Sequence, residues 1–463
     1  MSPAVRGAGR PRVVAIADTD SYVKWAAALL GGVGERWDAS LLVLETPLVV
    51  SDEQLASALS GSGLAAERVE RLEHRRLAAR LAELGADAVV LGGRGPLVRV
   101  LAREISALAP RPVVVTGLPG ISIPATRRAV VYRLQCDLFV VHSHREVREF
   151  AALSARTGYA HRYALATLPF ARGAVVTGSG ERPPGDVPGR TDLVFATQAK
   201  VPADREDRLR IARLLMQAAE ADPSRRVVVK LRAGAGEHQT HHEEDGYPEL
   251  LAGLGPLPAN LVMSIAPMRE ALATAEGLVT VSSTAAIEAV ASGIPVIALD
   301  TFGVSPRLIN ETLADADLLS GEEDVVARRF RHPDPEWLDE NYFHPPAADD
   351  WIDQVDDLLA QRAEGRLAAR PTVRRRGGAL RDAWERKVAL GRSDTSAAGA
   401  VAYAVGVPLR AAVRASARAR RALRTRPRPA PGWEDAAQQP GAAGSSAQVR
   451  STSAVRTSTT RTS

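Results

Sequence analysis

Short, nearly continuous apolar runs punctuate the first third of the chain, at residues 13–17, 41–44, 88–91, 113–116, 138–141 and 163–168. Between them lie stretches with helical periodicity, at 22–30, 65–84, 97–108 and 145–155. Runs of Val, Leu and Ala that do not alternate with polar residues are what strands buried on both faces look like. Their regular alternation with helices predicts a doubly wound α/β domain on a parallel sheet. The rhythm fails over 172–190, which is rich in Gly and Pro and has no sustained period, so a linker is expected there. It resumes with apolar runs at 193–196, 227–230, 261–263, 278–281 and 296–299 and a helix at 204–220. The pattern predicts two Rossmann-like domains, 10–171 and 191–362, facing each other across a cleft. The helix 351–362 is assigned to the second domain, and in the remaining segment, 363–463, an Arg/Ala-rich helix around 380–390 is expected to lie outside the core.

Composition narrows the function classes. A chain of 463 residues has room for two sizeable cores and a tail. The single cysteine, Cys136, cannot form an intramolecular disulfide or a multi-thiolate zinc site; it precedes an apolar run and is expected in the core. The only early apolar run is 13–17, and no stretch approaches the ~18 apolar residues of a membrane span, so a cytoplasmic protein is expected. The formal charge of +5 is uneven: residues 396–463 carry eleven arginines against Glu434 and Asp435. Beyond Thr425 the composition is that of a disordered tail. The segment 408–424 can form a basic amphipathic helix suited to peripheral contact with anionic lipid at the inner membrane face, while a plain solvated tail fits the same residues. It lacks interleaved aromatics and any nucleic-acid module, so no nucleic-acid partner is expected.

In open α/β sheets ligands bind beyond the carboxyl ends of the strands, so the turns after the apolar runs carry the candidate chemistry. In the first half these are Asp18-Thr19-Asp20-Ser21, the turn from Gly117 through Gly120 to Ser122, and His142-Ser143-His144. In the second half they are Gln198 to Lys200, Lys230 to Arg232, Ser282-Ser283-Thr284, and the turn containing Phe302 and Gly303. The stretch 278–300, LVTVSSTAAIEAVASGIPVIALD, is the most informative: strand, hydroxyl-rich turn, helix, Gly-Ile-Pro, strand. Hydroxyls at a helix start suit a phosphate, and Glu288 is an isolated acid suited to a ribose or sugar hydroxyl; an N-cap and a solvated acid explain the same residues more plainly. Of four lysines, Lys200 and Lys230 lie at or just beyond strand ends, which favours phosphate contact. The loop 232–247, RAGAGEHQTHHEEDGY, offers Glu237, Gln239, Thr240 and His241 as substrate contacts. His238, His241 and His242 could also chelate zinc, and a solvated loop remains open; no metal site is assigned. Dinucleotide, Walker and nucleophile-elbow signatures are absent.

The paired domains and VSSTAAIEAVASGIPVIALD resemble GT-B glycosyltransferases, and the second half resembles the capsule, polysialyl and CDP-glycerol transferase group. The combination ATQAKVP, VVVKLR, GEHQTHHE, VTVSSTAAIEA and FGVSPRLIN resembles more closely a bacterial family described only as glycosyltransferases, over roughly residues 10–345. The resemblance implies that Ser282, Ser283 and Thr284 hold a donor phosphate, with Glu288 near the nucleotide or sugar and Lys230 and Arg232 neutralising the leaving phosphate. It implies transfer of a sugar from a nucleotide donor to a hydroxyl of a glycan or lipid-linked acceptor, in surface polysaccharide or glycoconjugate synthesis. The relatives' K-x-H-P pair is replaced by Lys230-Leu231-Arg232-Ala233, so their histidine has no counterpart here. Asp18 or Asp20 is the expected base, with His142 second, and Asp20 as a helix cap is the competing explanation. No cofactor or metal is expected if Lys and Arg neutralise the phosphate. Two alternatives stay open: a nucleotide-sugar 2-epimerase, and a catalytically silent nucleotide-sugar or glycan-binding protein.

Overall fold

A computed structural model describes residues 9–172, 189–231, 245–370 and 377–424. The chain forms two compact units, Met1–Val405 and Gly406–Ser463. Within the first unit, one sheet holds β1 (Arg12–Ala17), β2 (Asp38–Leu44), β3 (Val69–Leu72), β4 (Ala88–Gly92), β5 (Val113–Gly117), β6 (Leu138–Val141) and β7 (Tyr163–Leu165), in the order β3-β2-β1-β4-β5-β6-β7. A second sheet holds β8 (Asp192–Ala196), β9 (Val227–Lys230), β10 (Leu261–Ser264), β11 (Ala275–Thr280), β12 (Val296–Leu299) and β13 (Leu319–Ser320), in the order β10-β9-β8-β11-β12-β13. Every strand pairing within these sheets is parallel. The strand order turns around between β1 and β4 and again between β8 and β11. There the flanking helices leave on opposite faces and open a crevice at the carboxyl ends.

The continuous apolar runs do what their composition predicts. Val13, Ala15 and Ala17 of β1 face one core with Trp25 and Leu41, while Val14 and Ile16 face another with Leu97 and Val98. Helix boundaries follow local chemistry. Ser143 caps the helix His144–Thr157 by accepting from the Glu146 amide, and Gly158, in the left-handed region at φ 71°, ends it. Asp204 caps Arg205–Ala221 in the same way. Cys136 is fully buried, and desolvation pushes its thiol up to about 12.

Three expectations need correction. The stretch 65–84 is not one helix: β3 occupies Val69–Leu72 and the helix spans only Leu77–Leu84, because Leu41 to Leu44 offer a parallel edge on which Val69 to Leu72 pair. The helix Trp351–Ala363 does not complete the second domain. Its Trp351, Val355 and Leu358 enter the first domain's core, with Trp351 edge-on to Trp37 at 5.4 Å. The helix Gly378–Leu390 is not peripheral either: Leu390 is fully buried with Leu97 and Leu101, and Arg99 pairs with Glu385 at 3.2 Å. Of the 172–190 linker, residues 173–188 lie outside the described residues.

Candidate functional site

The register of the strands places the site. Ala17 of β1 pairs with Gly92 of β4, so Asp18 and the Gly93-Arg94 turn emerge side by side at the first sheet's switch point. Asp18 is fully buried, and neither carboxylate oxygen has a hydrogen-bond partner among the described residues. The nearest cation is Arg94, whose Nη2 lies 3.7 Å from Oδ2. Desolvation raises the Asp18 pKa to about 6, opposed by the Arg94 charge. Beside it, the buried Arg133 guanidinium reaches the carbonyls of Gly93 and Gly117 at 3.4 Å and lies over the Phe139 ring, which ties the ends of β4 and β5 together.

The second sheet's switch point is built around an amide. Gln198, after β8, accepts from the Ser282 amide at 2.9 Å through Oε1 and donates to the Ser282 hydroxyl at 3.1 Å through Nε2. Thr280 Oγ1 accepts from the Ser283 amide at 3.1 Å, and Ser283 Oγ accepts from the Ala285 amide at 3.2 Å. Both serine hydroxyls therefore act as acceptors inside the turn, and each keeps its own proton for an anionic oxygen. Arg208 braces the turn from beneath, donating to the Gln198 carbonyl at 2.9 Å while stacking on Tyr247.

The two rims meet. A Cβ on Gly120 would lie 2.7 Å from Thr284 Oγ1, so the loop after β5 runs directly against the turn after β11. Lys24, on the helix Asp20–Gly31, sits 3.6 Å from Glu288 Oε1. The first domain's loop is held from behind by Glu146, a fully buried carboxylate that accepts from the Ser122 amide (2.9 Å), the His142 amide (2.8 Å) and the Tyr342 hydroxyl (2.8 Å).

A family model described as "Putative glycosyltransferase (DUF6716)" matches residues 13–358, which takes in both sheets. The chain belongs to this family. Its architecture, two parallel α/β domains with ligand ends facing, is the GT-B fold. A Listeria monocytogenes protein assigned as a UDP-N-acetylglucosamine 2-epimerase matches with a TM-score of 0.50 at 12% identity, over 79% of this chain and 99% of the other. The Methanocaldococcus jannaschii UDP-GlcNAc 2-epimerase, solved with UDP-GlcNAc and UDP, matches with a TM-score of 0.50 at 12% identity, over 74% and 99%. Phytolacca americana UGT2, solved with UDP-2fluoro-glucose and pterostilbene, matches at 11% identity over 76% and 95% with a TM-score of 0.43. No curated protein sequence matches the chain.

In this DUF6716 chain the candidate residues fall into three groups. Asp18, Gln198, Lys230, Ser282, Ser283, Thr284, Gly120 and Glu288 stand at the carboxyl ends of their sheets; Glu288, expected to stand alone, is paired with Lys24 instead. Lys230 is buried with its ammonium turned to the Leu231 carbonyl, and Lys200 is exposed after β8. Phe302 packs against the second core, and the Gly303 carbonyl accepts from Asn310 at 2.9 Å.

In the second group His142 and Gly117 hold structural positions. His142 is fully buried; its Nδ1–H donates to the Ala166 carbonyl at 2.6 Å and its Nε2 accepts the Trp25 indole N–H at 2.9 Å. Nε2 is also 2.8 Å from the Leu118 carbonyl, a bond it could make only by giving up the indole's. Burial lowers its pKa and keeps it neutral, so neither nitrogen is free to act as a base. Gly117 is small because Trp25 lies against it: a Cβ there would sit 2.2 Å from the indole. Asp20 is the first residue of its helix and takes a weak 3.4 Å contact from the Ser21 hydroxyl, with Thr19 in the cap position.

The third group, Arg232, Glu237, Gln239, Thr240 and His241, lies outside the described residues, as do His238 and His242. Among the described residues no cluster of His, Cys, Asp and Glu could hold a metal. Sequence reasoning missed Lys24, Arg94, Arg133, Arg208 and Glu146. Two left signals: Lys24 is one of four lysines, and Arg94 sits in the glycine-rich turn after an apolar run.

Proposed function

We propose that this protein transfers a sugar from a nucleotide-activated donor to a hydroxyl of a glycan or lipid-linked acceptor, in the synthesis of a surface polysaccharide or glycoconjugate. The donor phosphates lie on the Ser282-Ser283-Thr284 turn, with Lys230, Lys200 and Arg232 supplying positive charge as the nucleotide departs. Neutralisation by side chains makes a metal unnecessary in this reading. Asp18 takes the acceptor proton as the new carbon–oxygen bond forms and the bond from sugar carbon to phosphate oxygen breaks. A carboxylate with a pKa near 6 is ionised at neutral pH yet basic enough to share a proton in the transition state.

The observation that carries this reading is the approach of Gly120 to Thr284, which sets carboxyl-end loops of the two sheets against each other. It is supported by the family's description and by the M. jannaschii neighbour, whose structure holds UDP-GlcNAc and UDP. The test is thermal unfolding against UDP-, GDP-, dTDP-, CDP- and CMP-sugars for the wild type, Ser283→Ala and Lys230→Ala. One nucleotide class should stabilise the wild type, by about 2.7 kcal/mol at a hundredfold excess over Kd, and neither variant to that extent. Stabilisation by none of them, or equal stabilisation of all three proteins, overturns the donor site. Analysis of the donor after incubation without acceptor then separates the chemistries: an epimerised sugar contradicts transfer.

A further inference from the structure

Five buried polar atoms at the first sheet's switch point have no hydrogen-bond partner among the described residues: both Asp18 carboxylate oxygens, the Thr19 hydroxyl, and the Nε atoms of Arg94 and Arg133. Buried donors and acceptors are normally satisfied, so a cluster of orphans at the carboxyl ends of strands marks a place that a ligand completes. Thr19 is 2% exposed and holds the cap position of the helix Asp20–Gly31, yet its side chain caps nothing. Arg133 is equally buried. It donates to the neutral carbonyls of Ala129, Gly93 and Gly117, and no carboxylate lies within ion-pair distance of it among the described residues.

The charges here do not balance. Two guanidiniums, those of Arg94 and Arg133, stand against the single carboxyl of Asp18, and Arg94 approaches it no closer than 3.7 Å. Burial raises the Tyr22 pKa, and the charges acting on that hydroxyl are those of Arg133, Asp18 and Arg94, so all three share one small region. An arginine serving only as the counterion of Asp18 would close to hydrogen-bond distance and would need no second arginine beside it. Arg94, its side chain 38% exposed, is the member of the set that an incoming molecule can touch, while buried Arg133 supplies a fixed positive charge. We infer that the acceptor carries an anionic group, a phosphate or a carboxylate, beside its reacting hydroxyl, with Arg94 and the Thr19 hydroxyl binding the anion and Asp18 left to the hydroxyl proton. The inference rests on the transferase reading, in which Asp18 is the base, and narrows its acceptor. With Asp18 ionised, the set holds one more positive than negative charge, which a monoanion cancels. A neutral acceptor would leave the buried donors of Thr19 and the arginines without an anionic partner.

The test is thermal unfolding of the full chain, at about pH 7.5 and fixed ionic strength, with glycerol 3-phosphate or glucuronate and with their neutral counterparts glycerol and glucose. At least one of the anions should stabilise the wild type and the neutral compounds should not; which anion responds tells phosphate from carboxylate. Arg94→Gln should weaken that binding at least about tenfold and Arg94→Lys much less, whereas Ser283→Ala should leave it unchanged. No response to either anion, an equal response to the neutral compounds, or loss in Ser283→Ala with retention in Arg94→Gln overturns the inference. Nucleotide-sugar titrations keep the acceptor and donor readings apart. Donor binding should be the same in Arg94→Gln and wild type; its loss in that variant would place Arg94 on the donor side and overturn the inference. An anion response that depends on Arg94, in a protein that binds no nucleotide-sugar, would leave the anion site standing and remove the transferase reading.

Discussion

Burial moves the Asp18 pKa from 3.8 to about 6, so the folded protein holds this proton more tightly than the unfolded chain does. Between those two values the native state binds more protons, stability falls as pH rises, and the full cost is present above pH 6. About two pKa units correspond to roughly 3 kcal/mol. Asp18→Asn should therefore stabilise the protein by up to about 3 kcal/mol at pH 7.5, and by little near pH 4, in urea melts at the two pH values. The same substitution should lower turnover by about 10²- to 10⁴-fold, and wild-type turnover should rise with pH through about 6. A variant neither more stable nor less active would show an ordinary buried acid. In the sequence Asp18 was visible as the polar residue after the first apolar run. Its raised pKa was not, because it depends on burial in the folded chain, and the charge that opposes it, Arg94, stands 76 positions away.

At the scale of elements, the site depends on two loops being held in contact. Glu146 fixes the loop 117–122 with three donors, one of them Tyr342. Glu146→Gln should cost about 1–3 kcal/mol, since the amide nitrogen replaces an acceptor that buried donors need. Its effect on donor affinity should exceed that of Tyr342→Phe, which leaves the carboxylate in place; equilibrium melts and donor titrations check both. Gly120→Val places a methyl-bearing carbon against Thr284 and should weaken donor binding at least tenfold with little change in unfolding temperature, read by titration calorimetry. The strands and the serine turn were legible because buried parallel strands have an unbroken apolar signature. β3 was not: Glu70 and Arg71 are helix-compatible residues on a charged edge strand, and only pairing with β2 decides the matter. Likewise, the Lys24–Glu288 pair joins residues 264 apart, and no local pattern announces it; with Lys24 half exposed it is worth under about 1 kcal/mol.

Across the whole molecule, the chain returns to its beginning. The helix Trp351–Ala363 buries Trp351 and Val355 in the first domain, and Arg36 donates to Asp353 at 2.9 Å and to Asp356 at 2.6 Å. Its apolar spacing announced an amphipathic helix but not which sheet it covers, since periodicity defines a face and not a partner. Trp351→Ala should cost about 3–5 kcal/mol and increase hydrogen exchange in β5, β6 and β7 before the second sheet, measured by mass spectrometry. Uniform loss of protection in both sheets would contradict this division of labour. In the proposed reaction the Ser282 to Thr284 turn and Asp18 serve different substrates. The most direct test is calorimetric titration of the stabilising nucleotide-sugar into wild type, Ser283→Ala and Asp18→Asn. Donor affinity should fall at least tenfold in Ser283→Ala and stay unchanged in Asp18→Asn. Undiminished binding to Ser283→Ala, or loss of binding in Asp18→Asn, would contradict the proposed reaction.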